Sequence, residues 1–242
     1  MGKQRGVLLL EGRRLIEDAL GAEMAFELLL VSEGDTAAAD WAERMGPGCD
    51  VRRVTEAVMA KASALDKAPG LLGLVPTPPA RDLQLGCVTG AEALILVVAG
   101  IADPGNLGAL ARSAEAAGAE AMVIVAGGAS PWNAKALRGS MGSLLRLPLF
   151  FAASAQQAAE LLAGMGLRQA IAATRGGESL WDFDWKGPIA LWVNGETGEA
   201  PDTGRHLEPL TIPMAGGVES LNVTVAGSLL LFAATRAQDG QR

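Results

Sequence analysis

The chain has 242 residues, 50% of them hydrophobic, and carries a formal net charge of −7. That length accommodates one large core or two modest ones, so two domains are expected. The acidic balance argues against a broad polyanion-binding surface, because nonspecific affinity for nucleic acid comes mostly from Lys and Arg on phosphates.

The first segment alternates short strands and helices: Val7–Leu10, a helix over about Arg13 to Leu20, Leu28–Val31, a helix near Ala37–Arg44, Val51–Val54, a helix from about Thr55, and Leu71–Val75. Such alternation predicts a small α/β domain over residues 1–75. The run Pro76-Thr-Pro-Pro-Ala-Arg-Asp82 then denies backbone donors and favours extended chain, which places a linker at 76–90. From 91 to 242 the alternation resumes with Leu94–Ala99, a helix from Asn106, Met122–Ala126, Leu147–Phe151, a helix through Gln156–Leu162, Gln169–Thr174, Ile189–Val193, Leu210–Ile212 and a helix from Ser220. Near-continuous apolar strands such as Leu94–Val98 suit a parallel sheet covered on both faces, so the fold class is α/β. Ligands on such sheets bind at the carboxyl ends of strands, which directs attention to the loops after Ala99, Thr174, Val193 and Ile212.

Several function classes drop out. Cys49 and Cys87 lack metal-ligand spacing and His206 is the single histidine, so no metal site is expected. No run of roughly 18 or more apolar residues is present, and the segment before Glu11 holds too few apolar residues for a signal peptide, so a cytoplasmic protein without a membrane span is expected. Neither Gly-x-Gly-x-x-Gly after a strand nor a P-loop occurs, and no Ser or Cys nucleophile has a plausible histidine. Residues 121–159 contain no acid while Lys135, Arg138 and Arg146 lie there, and Lys3, Arg5, Arg13 and Arg14 face only Glu11 near the N-terminus. A local basic face and an ordinary solvated surface are both compatible with that distribution.

Three places can carry chemistry. Asp103-Pro-Gly-Asn106 turns into a helix, with Asn106 suited to cap its free amides, and Leu107, Leu110, Ala111, Ala114 and Gly118 form one apolar stripe from which Arg112 is excluded. Asn194-Gly195-Glu196-Thr197-Gly198 follows an apolar strand, and a glycine-bearing loop there lets a ligand approach backbone groups, although a plain turn needs the same residues. Ile212 to Ala226 reads as a strand end, a loop and a helix start capped by Ser220. That helix is apolar on nearly every side from Val223 to Ala234, which marks it as buried inside the fold or across a subunit interface.

Asn106-x-Gly108-x-x-x-Arg112, Gly195-Glu196 and Ile212-Pro-Met-x-Gly-x-x-x-Ser220-Leu-Asn-Val-Thr224 resemble, in order and spacing, the three motifs of the TrmH family of SPOUT-class RNA ribose 2′-O-methyltransferases. Arg138 to Pro148 resembles the family's segment between the first two motifs, and the chain from Leu8 to Val75 resembles, more loosely, its RNA substrate-binding domain. The resemblance implies a small N-terminal α/β domain followed by a SPOUT α/β domain with a C-terminal trefoil knot, a homodimer, and S-adenosylmethionine as methyl donor. RNA is the implied partner, ribosomal RNA being favoured over transfer RNA, with an RNA-binding protein that has lost methyl transfer as the rival. Carried over, Asn106, Arg112, Glu196, Ser220 and Asn222 form the catalytic neighbourhood. Thr174, Asn194, Gly195, Ile212, Met214 and Leu221 hold the cofactor.

Displacement at a sulfonium methyl needs alignment first, worth roughly 7–11 kcal/mol when complete, and modest help at a hydroxyl that is mostly protonated at neutral pH. A guanidinium is a poor proton acceptor, so electrostatic assistance is the role expected of Arg112. The second motif departs from the family pattern, since Asn194, Thr197 and Glu199 stand at positions where glycine is expected. Cofactor binding is expected to survive this with weaker affinity.

Overall fold

The computed structural model describes residues 6–84, 86–87, 92–195 and 201–239. The chain divides into two compact units, Met1–Pro79 and Ala80–Arg242. The stretch 76–90, expected as a linker, is split between them. Pro76 closes a strand of the first unit, whereas the Leu83 amide donates to the Phe151 carbonyl (2.9 Å) and Asp82 bridges Phe151 in the second. The prolines punctuate the chain, but the residues after them are captured by strand pairing.

The first unit runs β1 (Val7–Glu11), α1 (Arg13–Gly21), β2 (Leu28–Ser32), α2 (Ala38–Met45), β3 (Asp50–Val54), α3 (Glu56–Ala62) and β4 (Leu71–Pro76). Its strands form a four-stranded sheet in the order β1-β4-β2-β3, with β4 antiparallel to both neighbours and β3 parallel to β2. Alternation buries Leu8 and Leu10 of β1 with Leu29 and Val31 of β2, against the stripe Leu15, Ile16 and Ala19 of α1. Thr55 caps α3, its hydroxyl accepting from the Val58 amide. The buried Glu11 carboxylate accepts from the Ser63 hydroxyl at 2.5 Å and the Ala64 amide at 3.3 Å, tying the connection after α3 to the end of β1.

The second unit comprises β5 (Leu94–Ala99), α4 (Pro104–Ala116), β6 (Ala121–Val125), α5 (Ala134–Ser140), α6 (Ser143–Arg146), β7 (Leu149–Ala152), α7 (Ala155–Gly164), β8 (Arg168–Ala173), β9 (Glu178–Ser179), β10 (Ile189–Asn194), β11 (Glu208–Thr211) and α8 (Val223–Asp239). All pairings of its seven-stranded sheet, in the order β7-β6-β5-β10-β8-β11-β9, are parallel. Apolar side chains run unbroken along β5, β6 and β10 as far as Val193 because both faces are covered. Ala158, Ala159 and Leu162 of α7 join the core on Val97, Val123 and Trp192. On α8, Gly227 lies close against Leu110 of α4 and Val193 of β10, and the Ser113 and Ser228 hydroxyls meet at 2.6 Å. One polar pair is buried in this core: Trp192 Nε1 donates to Gln169 Oε1, whose amide nitrogen donates to the Ala159 carbonyl.

Two helix starts differ from expectation. Asp103, not Asn106, caps α4, since its carboxylate accepts from the Asn106 amide at 2.9 Å and Pro104 occupies the first turn. The helix α8 begins at Val223, with Asn222 Oδ1 accepting from the Thr224 amide, so Ser220 lies in the preceding loop. Gly118 falls beyond the end of α4 with φ +76°, where it turns the chain instead of extending the stripe. The short elements α5, α6 and β9 have no counterpart in the periodicity. Among the described residues no helix is long and apolar enough to cross a membrane.

Candidate active site

A cavity of about 700 Å³ opens at the carboxyl ends of β8, β10 and β11. Thr174 lines it just after β8, Asn194 and Gly195 at the end of β10, Ile212 and Met214 just after β11, and Ser220, Leu221 and Asn222 from the loop that enters α8. Val193, Leu210, Ala226 and Leu230 supply an apolar wall. The described lining contains no carboxylate and two arginines, Arg175 and Arg205. Gly195 is required for closeness: its φ is not positive, and a Cβ there would overlap the Gly100 carbonyl oxygen across the β5–β10 pair.

The first and third motifs meet beside this cavity. With its amide held by Asp103, Asn106 presents its side chain to the start of α8, where Oδ1 lies 3.3 Å from the Thr224 hydroxyl and 3.5 Å from Asn222 Nδ2. Asp103 is itself fixed by Lys135 Nζ at 2.5 Å, and this hydrogen bond chiefly holds its carboxyl below the usual carboxylate range. The first turn of α4 is thereby anchored from α5. Closeness between these helices is a glycine property, because a Cβ on Gly108 would overlap the Ala136 carbonyl oxygen.

Arg112 does not line the cavity. It is exposed on α4, about 9 Å along the helix from Asn106 at 1.5 Å per residue, and enters no ion pair among the described residues. Glu115, one turn on, is taken by both nitrogens of the Arg146 fork at 2.7 and 2.8 Å, which is the main cause of its lowered pKa. Glu196 lies outside the described residues, as do Thr197 and Glu199. Arg175, Thr203, Arg205 and His206 also line the cavity and were not anticipated. Arg175 directly follows Thr174 and was reachable by extending the strand-end argument one residue, but nothing in the pattern marks the segment before β11. No group of three or more potential metal ligands occurs among the described residues.

A fully parallel sheet whose ligand cavity is walled by strand-end backbone and by the loop into a C-terminal helix has the form of a SPOUT-class α/β methyltransferase. Residues 93–232 match the SpoU rRNA Methylase family and residues 3–73 match the MRM3-like substrate binding domain. An uncharacterized tRNA/rRNA methyltransferase of Synechocystis is 30% identical, covering 98% of this chain and 86% of the relative. The 23S rRNA (guanosine-2′-O-)-methyltransferase RlmB of Xanthomonas campestris is 34% identical over 80% of each chain. The crystal structure of the SpoU methyltransferase AviRb from Streptomyces viridochromogenes in complex with S-adenosylmethionine superposes with a TM-score of 0.82 at 25% identity, covering 97% of this chain and 92% of that one. The chain belongs to the SpoU rRNA methylase family, the S-adenosylmethionine-dependent RNA 2′-O-methyltransferases.

Proposed function

We propose that this chain transfers a methyl group from S-adenosylmethionine to a ribose 2′-hydroxyl of ribosomal RNA, in the cytoplasm and as a homodimer, with the first unit holding RNA and the C-terminal segment knotted. One observation carries the reading most directly. The cavity at the ends of β8, β10 and β11 adjoins the contact between Asn106, Asn222 and Thr224, so a cofactor site and a polar cluster from two separate motifs share one place.

The lining fits the cofactor in size and chemistry. Its volume lies in the range of small-molecule sites, strand ends offer backbone donors and acceptors, and Arg175 and Arg205 suit an anionic carboxylate. Asn194, Gly195, Ile212, Met214 and Leu221 would hold the cofactor, with Thr174 at the neighbouring strand end. When bound, the cofactor supplies an already activated methyl group. The protein's task is then to bring the hydroxyl into line and exclude competing water, for which Ser220, Asn222 and Asn106 are placed. Arg112, exposed and in no ion pair among the described residues, is assigned to the RNA: its planar fork grips a phosphate or stabilises charge developing on the 2′-oxygen. Glu196 is assigned to orienting these groups.

The dimer is supported by α8, whose Val225, Leu229 and Phe232 recur at helical spacing and are 48%, 40% and 50% exposed while Leu230, Leu231 and Ala234 are buried on the opposite side. Calorimetric titration with S-adenosylmethionine tests the site. The parent binds, and Gly195→Ala, whose methyl group displaces the Gly100 carbonyl, loses most of that affinity. A parent that binds none at millimolar ligand would favour an RNA-binding protein without methyl transfer.

A further inference from the structure

Trp181 has the highest exposure of any large hydrophobic side chain described, at 64%. Its exposure is built in. Leu180 and Phe183 on either side are buried, Trp185 is buried and donates from Nε1 to the Leu180 carbonyl, and the rings of Phe183 and Trp185 meet edge to face at 4.8 Å. The Trp181 amide donates to the Ser179 hydroxyl, and the Asp182 and Phe183 amides both donate to the Ser179 carbonyl. A turn fixed this firmly holds one indole outward at little further entropic cost on binding.

Its position is equally defined. The connection begins at Arg175, which lines the cavity, and passes through β9. It returns through the Leu180 amide, which donates at 3.0 Å to the carbonyl of Thr211, the residue before cavity-lining Ile212. Leu180, the residue before Trp181, is therefore pinned to the chain that enters the cavity, one residue from its lining. Exposed Glu178, Asp182 and Asp184 neighbour Trp181 in sequence against the single exposed Lys186, a balance that disfavours an anionic lipid surface and leaves the aromatic face, not charge, to hold a ligand.

We propose that Trp181 is a stacking platform for an unpaired base of the RNA substrate, next to the nucleotide whose ribose enters the cavity. The proposal rests on the function given above. An aromatic face accepts any base, so the platform positions single-stranded RNA without choosing its sequence.

The test uses the full-length protein, its Trp181→Ala and Trp181→Phe variants, a ten-nucleotide oligoadenylate, and an abasic ribose-phosphate decamer of equal charge. Of the five tryptophans, Trp41, Trp185 and Trp192 are buried and Trp132 is half-buried, so the acrylamide quenching lost in Trp181→Phe isolates the contribution of Trp181. Oligoadenylate is expected to protect the fluorescence and the abasic strand to leave it unprotected. Trp181→Ala should weaken oligoadenylate binding about tenfold, within the range for one stacked base, with Trp181→Phe within about threefold of the parent. S-adenosylmethionine affinity should stay within twofold in both variants. Equal binding of the two probes, or unchanged oligoadenylate affinity in Trp181→Ala, overturns the platform, as does a Trp181→Ala protein that sediments as a monomer beside a dimeric parent. Absence of cofactor binding by the parent would instead strike the function reading, a result independent of the quenching measurement.

Discussion

Asn106 shows how a single residue can be placed correctly for the wrong local reason. Its sequence context reads as a helix cap, yet Asp103 three residues earlier performs that task and releases the Asn106 side chain toward Asn222 and Thr224. Capping preference alone ranks Asp and Asn alike; Pro104 in the first turn starts the helix directly after Asp103, and Lys135, distant in sequence, holds that carboxylate. Gly195 was legible as part of a glycine-bearing loop open to a ligand, but its need to be small comes from contact with Gly100 beyond the neighbouring strand, which no local pattern reveals. For Arg112, exposure off the apolar stripe was readable from periodicity. Arg112→Ala is expected to leave S-adenosylmethionine affinity nearly intact and reduce methyl transfer on the order of 10²–10³-fold, and Arg112→Lys to be impaired as well, both measured by tritiated methyl incorporation. Transfer at the parent rate would remove Arg112 from the chemistry. The Glu115–Arg146 pair makes a separate, pH-dependent prediction. Its folded pKa is lowered, so its stabilisation is present above the unfolded value of about 4.3 and fades as pH falls through the folded value. Partial exposure limits it to about 1 kcal/mol or less. Chemical denaturation should thus show Glu115→Gln less stable than the parent at pH 7, with the difference closing below about pH 4. A difference that stays constant with pH would assign the loss to packing.

At the scale of elements, long strands and helices with strong periodicity were legible, because burial on both faces or along one stripe writes itself into residue spacing. The elements α5, α6 and β9 were not. They span few residues, and their order depends on glycine contacts with α4 and on pairing with β11. The helix α8 is the instructive case: apolar on nearly every side in sequence, it buries one side on α4 and β10 and leaves Val225, Leu229 and Phe232 outward. A carboxylate placed in that stripe would meet hydrocarbon in a dimer and only water in a monomer. Phe232→Asp should therefore shift sedimentation from a species near twice 24.8 kDa to one near the chain mass. A parent that is already monomeric and active at low micromolar concentration would exclude the dimer.

Across the whole molecule, charge says more about the mode of RNA recognition than about its existence. With a net charge of −7, attraction to phosphate must be local, yet several cations near the N-terminus are committed to acids: Arg13 to Asp35, Arg14 to Asp18, Arg44 to Glu17 and Arg52 to Asp50. Arg112 and Arg138, on two helices of the second unit, are exposed and enter no ion pair among the described residues. On the function proposed above, recognition would then rest on a few placed cations and on shape and stacking, not on a general basic surface. Family membership fixes the reaction class, while the RNA and its nucleotide are matters of this chain's own surface. The most direct test incubates the purified protein with tritiated S-adenosylmethionine and ribosomal RNA from cells lacking the gene, then maps 2′-O-methyl positions. The account predicts label at one or a few defined riboses of ribosomal RNA and none on transfer RNA. Cofactor binding without label in any RNA, or label confined to transfer RNA, would contradict it.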